Sequence, residues 1–372
     1  MNAQHPLALY VHWPFCVSKC PYCDFNSHVR DDIDQVRWRD ALLADLAYEA
    51  QMLPGRKLGS IFFGGGTPSL MPPATVAAVL AAAERAWGFD DGVEITLEAN
   101  PSSVEAARFR ELAAAGVNRA SLGLQALDDS ALAFLERAHD VTEGLAALDT
   151  AQSAFARVSF DLIYALPGQS LAAWEAELAR AIGFGTEHLS LYQLTIEPGT
   201  RFATLAAKGA LTIPDGDVAA ELFETTAAMT RAAGVPRYEV SNHARPGAES
   251  RHNLAYWRYR DYAGIGPGAH GRRSGLATFR RKKPENWLAA VDRNSHGIES
   301  EEPLSAETRA LEGLLMGLRL AEGTAVDPAI LDHTAVDRVI AGGLMTRVGD
   351  RLAVTDAGML LLDSILKTIV RG

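Results

Sequence analysis

The sequence predicts an α/β protein: a partial (β/α)6 barrel, an extension, and a small C-terminal domain that is winged-helix-like. Three observations carry this expectation. Six short β-rich runs alternate with amphipathic helical stretches through the first half of the chain, and such alternation implies a parallel sheet with right-handed crossovers. Polar or glycine-rich signals recur where these runs end, and barrel enzymes build their sites at the C-terminal ends of parallel strands. A hairpin pattern between helical stretches closes the chain.

The six runs are Leu7–His12, Ser60–Gly64, Val93–Glu98, Arg119–Leu124, Arg157–Ile163 and His188–Gln193. Helical stretches such as Val36–Met52, Ala74–Trp87, Val104–Ala115 and Ala172–Phe184 lie between them. The second is rich in Ala and Leu, both good helix formers. Six units are too few to close an eight-stranded barrel. The barrel is assigned to residues 1–210, the extension to 211–300 and the C-terminal domain to 301–372. The run from His296 to Ser305 reads as a linker at the last boundary. Beyond it a helix is expected over Ala306–Leu320, and one or two short helices within Ala329–Ala341. A hairpin should span Leu344–Thr355 around Gly349-Asp350, and a last helix should begin near Asp356.

A winged-helix pattern invites a DNA reading, but charge opposes it. From residue 301 onward there are 11 acidic and 7 basic side chains, and the whole chain carries −11; nucleic-acid binding rests on neutralising phosphates with Lys and Arg. No apolar run is long enough to span a bilayer, since Met359–Leu366 is short and interrupted by Asp363. Met1–Pro6 shows no basic stretch leading into an apolar one, so no signal peptide is expected and the location expected is cytoplasmic.

The chemistry begins with the only three cysteines, Cys16, Cys20 and Cys23, spaced C-x3-C-x2-C directly after the first apolar run. Three thiolates can reach one metal centre but cannot complete a four-thiolate site. A [4Fe-4S] cube held this way leaves one iron open. Structural zinc is the alternative and needs a fourth ligand, which His12 or His28 could supply. A disulfide with a spare thiol would suit a secreted chain, and no secretory context is visible. Gly64-Gly65-Gly66-Thr67-Pro68 ends the second run and lets backbone groups approach a small ligand closely. Glu98 could bind an amino group or ribose hydroxyls, or be an ordinary strand-end acid. Gln125, Arg137 and Asp161 offer further polar contacts, and each taken singly reads as structural.

Taken together these motifs carry a resemblance. The cysteine spacing matches the radical S-adenosylmethionine (SAM) superfamily, in which SAM occupies the open iron. Tyr10–Cys23, Gly64–Pro68, Glu98–Pro101, Ser121–Gln125, Asp161–Gly168 and the C-terminal region together resemble the coproporphyrinogen III dehydrogenase (HemN) family over nearly the whole chain. The resemblance implies a radical SAM barrel with cluster ligands Cys16, Cys20 and Cys23. It implies SAM contacts at Tyr10, Tyr22, Gly65, Gly66, Thr67, Glu98, Gln125, Arg137, Asp161 and Thr195.

Two departures shift the expectation within that family. The dehydrogenases carry another cysteine two places after the third ligand, where this chain has Phe25, and a longer segment ahead of the first strand, where only nine residues precede Tyr10. Both departures are shared by HemW-type heme chaperones. The run His252-Asn253-Leu254-Ala255-Tyr256-Trp257 is similar to the H-N-x-x-Y-W signature of that group. His270 stands where the dehydrogenases have an apolar SAM contact.

The expected function is therefore heme binding and transfer to acceptor hemoproteins, membrane-associated ones among them, with a [4Fe-4S] cluster and SAM in the core. The alternatives are SAM-dependent decarboxylation of coproporphyrinogen III to protoporphyrinogen IX, and a zinc-stabilised interaction protein. A neutral imidazole from His252 can ligate heme iron, while Tyr256 and Trp257 can pack on the macrocycle. The bland reading has His252 and Asn253 bonding a loop while Trp257 fills core. Between Arg251 and Lys283 nine basic residues face Asp261 alone, a net of +8. That stretch is either a solvated surface or a partner for carboxylates such as heme propionates.

Overall fold

The computed structural model describes residues 5–30 and 32–371. Part of the N-terminal run read for a signal peptide, Met1–Gln4, lies outside the described residues. Six parallel strands form the centre: β1 (Leu7–Trp13), β2 (Leu58–Gly65), β3 (Phe89–Ala99), β4 (Arg119–Gln125), β5 (Arg157–Tyr164) and β6 (His188–Gln193). Each coincides with an expected run. They lie side by side in chain order, parallel throughout, with helices crossing over between them.

The alternation along these strands explains both faces of the sheet. Leu7, Leu9, Val11 and Trp13 on β1, Ile61 and Phe63 on β2, and Leu122 and Phe160 further along are buried in the main hydrophobic core. The intervening residues include Glu94, Thr96, Arg119, Ser121, Ser159 and His188, all buried and polar. Parallel strands covered on both faces are ordinarily apolar throughout. A buried polar face on one side therefore marks a lumen with chemistry to do.

The extension adds strands at both edges. These are β7 (Asn242–Ala244), β8 (Tyr262–Ile265), β9 (His270–Arg273), β10 (Leu276–Arg280) and β11 (Ile298–Pro303). The full order is β11-β10-β9-β8-β1-β2-β3-β4-β5-β6-β7, an open sheet of eleven strands. Strand β8 runs parallel to β1, whereas β9, β10 and β11 continue antiparallel, as does β7 beside β6.

Three sequence expectations need correction. The run His296–Ser305 is not a linker, because Ile298–Pro303 pairs with β10 as the outermost strand. Glu299, Glu301 and Glu302 suit an exposed edge, which charged side chains protect from further pairing. The helix expected over Val104–Ala115 is two pieces, Ser103–Ala106 and Phe109–Ala114. Arg108 sits at the break and donates to the carbonyls of Leu70 and Met71 at 3.4 and 2.8 Å.

The third correction concerns the basic stretch. Arg280 is fully buried and bonds Asp45 at 2.7 Å and Glu49 at 2.9 Å, both on the helix Gln35–Met52. Arg273 bonds Glu49 at 3.1 Å and also pairs with Glu301. Arg272 lies over the Tyr259 ring at 3.5 Å. Arg258 pairs with Glu322, and Arg281 with Glu299. Four of the nine are thus ion-paired, with Arg273 and Arg280 buried, whereas Arg251, Lys282 and Lys283 stay on the solvated surface.

The C-terminal residues have a core of their own, built from Leu314, Leu318, Val336, Met345, Leu352, Ile365 and Ile369. Helices Ala306–Gly317, His333–Ala341 and Leu362–Ile369 surround a three-stranded sheet of Thr324–Ala325, Arg351–Val354 and Met345–Val348. The hairpin turns at Gly349, whose φ of 61° favours glycine. No helix among the described residues is long and apolar enough to cross a membrane.

Candidate functional site

The lumen opens into three adjoining cavities. The first, about 390 Å³, is lined by Cys16, Cys20, Cys23, Tyr22, Gly65, Gly66, Thr67, Glu98, Gln125, Arg137 and Asp161. Eleven of the thirteen cluster and SAM residues expected from sequence thus meet in one place. Thr195 lines the second cavity, about 480 Å³, which shares Tyr22, Cys23, Glu98, Gln125 and Asp161 with the first. Tyr10 lines neither of these two cavities. It faces the third cavity beside His252, because its place on β1 lies deeper in the lumen than the loop carrying the cysteines.

The cysteines follow β1 on a short loop whose first residues, Phe15–Cys16, pair with His28–Val29. Phe15 packs edge-on against Trp13 and Trp38, anchoring the loop in the core. All three thiols are free. Thr67 Oγ1 donates to Cys16 Sγ at 3.5 Å, and Arg137 Nη1 donates to Cys20 Sγ at 3.2 Å. Burial pushes the thiols of Cys16 and Cys23 up from their ordinary value. Among the described residues no three His, Cys, Asp or Glu side chains stand close enough to chelate a single ion; the thiols share a cavity rather than a point.

The histidines offered as a fourth zinc ligand are otherwise engaged. His12 Nε2 donates to the Asn26 carbonyl at 2.9 Å, so its Nδ1 accepts from Tyr10 Oη at 3.0 Å. Burial holds this imidazole neutral, with its pKa down at about 4. His28 Nε2 lies 3.2 Å from Asn26 Oδ1.

The glycine segment forms a cradle that no larger residue could build. Gly65 has φ of 114°, and a Cβ there would stand 2.6 Å from the His12 ring. A Cβ on Gly66 would stand 2.6 Å from the Phe15 carbonyl oxygen. Opposite the cradle, Glu98 Oε2 accepts from Gly65 N at 3.2 Å. Burial and then the neighbouring Asp161 charge push the Glu98 carboxyl up to about 8. Burial raises Asp161 to about 6, while Ser121 Oγ donates to it at 3.4 Å. Two half-buried acids side by side in one cavity are poised for a ligand that brings donors or positive charge. Gln125 sits at the strand end with φ of 69°, a left-handed strain of the kind that clusters at functional sites.

Asn100 was not singled out from the sequence. Its side chain donates to Thr67 Oγ1 at 3.0 Å and accepts from Arg137 Nη2 at 2.6 Å, tying the cradle to the guanidinium beside Cys20. Its place two residues past Glu98, at the end of β3, was the available signal. The donor set fits the groups that the resemblance implies: three free thiols, a side-chain-free cradle, and two half-buried carboxylates with a nearby guanidinium.

The third cavity, about 510 Å³, is walled by His252, Asn253, Tyr256 and Trp257 together with Tyr10, Phe62, Tyr192 and Arg319. A volume of this size is typical of small-molecule sites. The H-N-x-x-Y-W residues lie on the helix Arg251–Trp257. Ser250 caps it, donating its hydroxyl to Glu94, and the His252 backbone N–H reaches the same carboxylate at 3.3 Å. Glu94 is held in turn by Arg157 at 2.8 Å.

His252 is only 4% exposed, and its ring stacks on Phe62 at 5.0 Å between centroids. Nδ1 lies 3.3 Å from Ser60 Oγ, and the buried Nε2 has no partner among the described residues. Burial lowers its pKa to about 3, so the ring is neutral. Asn253 Nδ2 donates to Tyr238 Oη at 3.3 Å. Tyr192, Val240 and Ser241 line both the second and third cavities, joining the His252 end of the lumen to the cysteine end. His270 lies on β9, edge-on to Phe279, and lines none of the three.

The comparisons agree with this geometry. The family model described as "Radical SAM superfamily" matches residues 10–181. The chain is 42% identical to the bovine (Bos taurus) "Radical S-adenosyl methionine domain-containing protein 1, mitochondrial", over 85% of this chain and 74% of the relative. It is 36% identical to "Heme chaperone HemW" of Escherichia coli, over 97% of each chain. With the Mycobacterium tuberculosis protein of that name it shares 35% identity over 98% of this chain and 95% of the relative. In fold it is similar to the Escherichia coli coproporphyrinogen III oxidase HemN, with a TM-score of 0.82 and 22% identity, over 98% of this chain and 90% of that one. The sequence kinship spans essentially the full length, and it places the chain in the HemW family of the radical SAM superfamily.

Proposed function

We propose that this chain is a heme chaperone, which binds heme in the His252 cavity and passes it to acceptor hemoproteins. The reading rests chiefly on one observation: a neutral, buried imidazole whose Nε2 has no partner, in the wall of an aromatic cavity of about 510 Å³. A buried nitrogen left unpaired is costly, and coordination to iron would satisfy it. Glu94 holds the His252 backbone and Ser60 orients its ring; Tyr256, Phe62 and Tyr10 supply flat apolar surface for a macrocycle.

The same reading assigns a [4Fe-4S] cluster to Cys16, Cys20 and Cys23, and SAM to the first two cavities. When bound, the cluster supplies an open iron position for SAM. The chain's own part is to shape that position. Gly65 and Gly66 admit the ligand's methionine end, Glu98 and Asp161 accept hydrogen bonds from amino or hydroxyl groups, and Arg137 with Gln125 faces the carboxylate. Tyr22 and Thr67 line the cluster side, and Thr195 borders the adjoining space. The site of action we propose is the cytoplasm, with acceptors that include membrane-associated hemoproteins.

Anaerobic reconstitution with iron and sulfide, followed by hemin titration and an assay of coproporphyrinogen III turnover with SAM and reductant, tests the proposal. Stoichiometric hemin binding without decarboxylation is expected. Robust decarboxylation with no hemin binding would assign the chain to the dehydrogenase reaction instead. A His252→Ala, Tyr256→Ala, Trp257→Ala variant should lose hemin binding while retaining its iron and sulfide. Normal binding by that variant would move the heme site elsewhere.

A further inference from the structure

We infer that Arg319, carried by the C-terminal domain, recognises a carboxylate of the bound tetrapyrrole, which makes that domain a part of the heme site. This inference rests on reading the His252 cavity as the heme cavity. Among the described residues lining that cavity, Arg319 is the one Arg or Lys. The basic stretch that the sequence offered for this role is spent elsewhere: Arg273 and Arg280 are locked to Asp45, Glu49 and Glu301, and Arg258 to Glu322. A dicarboxylate macrocycle in this cavity would otherwise meet no fixed cation.

The guanidinium of Arg319 is held but not consumed. It lies 5.9 Å from the Trp257 ring centroid, and Nη1 donates to the Leu315 carbonyl. Its other terminal nitrogen has only Asp363 at 3.9 Å, a side chain 84% exposed. A long contact to a solvated acid contributes little, so a better-placed carboxylate can displace it. Arg also offers a planar fork that grips a carboxylate through two parallel hydrogen bonds.

The domain that carries Arg319 is fastened to the helix that carries His252. Arg258, at the end of that helix, makes two bonds to Glu322 at 2.8 and 2.9 Å. Ala321 N donates to the Tyr238 carbonyl at 2.9 Å, and Tyr259 Oη bonds Glu312. Arg319 therefore keeps a fixed position relative to His252. The polarity of the cavity then sets an orientation. Glu239 is 1% exposed and engaged with Asn242, so its side of the cavity offers a carboxylate no cation to pair with. Carboxylates belong at the Arg319–Trp257 side, and the ring belongs against Phe62 and Tyr256.

The test compares hemin with its dimethyl ester, in which both carboxylates are masked, on the full chain and on its Arg319→Met and Arg319→Lys variants. The unsubstituted protein should prefer hemin. Arg319→Met should weaken hemin about 10- to 100-fold and leave the ester unchanged, which also shows that the fold and cavity persist. Arg319→Lys should fall between, since it keeps charge and loses the fork. Equal weakening of both ligands would make Arg319 a structural wall, and no weakening of either would make it a bystander; both results overturn the inference. So would equal affinity of the unsubstituted protein for hemin and ester, a result that leaves the heme reading intact. Failure of that protein to bind hemin at all overturns both.

Discussion

Replacing Glu98 by Gln should make the ligand-free protein more stable at neutral pH, although it removes a binding group. In the folded chain, burial and the Asp161 charge raise the Glu98 carboxyl to about 8 from an ordinary 4.5. A carboxyl with a raised folded pKa favours its neutral form in the fold. Its stability contribution is intact below pH 4.5 and is lost as pH climbs towards 8. From 4.5 to pH 7 is 2.5 pH units, each worth about 1.36 kcal/mol, so ionisation costs the native state about 3 kcal/mol at pH 7. At pH 5 the cost is below about 1 kcal/mol. Glutamine keeps an oxygen to accept from Gly65 N and carries no charge. Urea unfolding of the ligand-free protein should therefore show Glu98→Gln gaining about 3 kcal/mol at pH 7 and less than about 1 at pH 5. The same variant should bind SAM more weakly. A variant no more stable at pH 7, or equally shifted at both pH values, would refute the argument that Glu98 is held strained for a ligand.

Three further outcomes follow from the geometry. Gly66→Ala would drive a Cβ to 2.6 Å from the Phe15 carbonyl oxygen; it should destabilise the chain by about 1–3 kcal/mol in urea unfolding and lower the iron and sulfide taken up on reconstitution. Arg280→Met leaves Asp45 as a buried charge without its ion-pair partner, while Glu49 keeps Arg273; a loss of about 3–5 kcal/mol is expected from denaturant midpoints, whereas hemin affinity per folded molecule should hold. The buried imidazoles of His12, His243 and His252 have folded pKa values lowered by burial to about 4, 3 and 3. Their contribution is complete above pH 6.5 and drains as pH falls below it, by roughly 1.4 kcal/mol per pH unit for each ring; unfolding midpoints measured from pH 7 down to pH 5 check the sign.

The site was legible where function and strand order coincide. Cys16, Cys20 and Cys23 form a contiguous motif. Gly65, Glu98, Gln125 and Asp161 each stand at or near the end of a β-run, and parallel strands in chain order bring such ends together. Tyr10 lies beside His252 and not in the cysteine cavity, and period-2 alternation gives the face of a strand but not the depth along it. Asn100 escaped because its role exists only once Thr67 and Arg137 stand beside it.

The sequence by itself determined the six-unit parallel core and the cysteine motif, because each is written in local spacing and periodicity; the helix that carries His252 came from the structure. Only the tertiary structure decided where the charges went. Of the nine basic residues of 251–283, Arg258, Arg273 and Arg280 find their counter-charges in Glu322, Glu301, Glu49 and Asp45, acids from segments that a linear charge count does not place beside them. Arg319, unremarkable in the chain, became the cation of the His252 cavity. Coulomb interactions act through space, and a one-dimensional charge count is silent about which opposite charges the fold brings within reach.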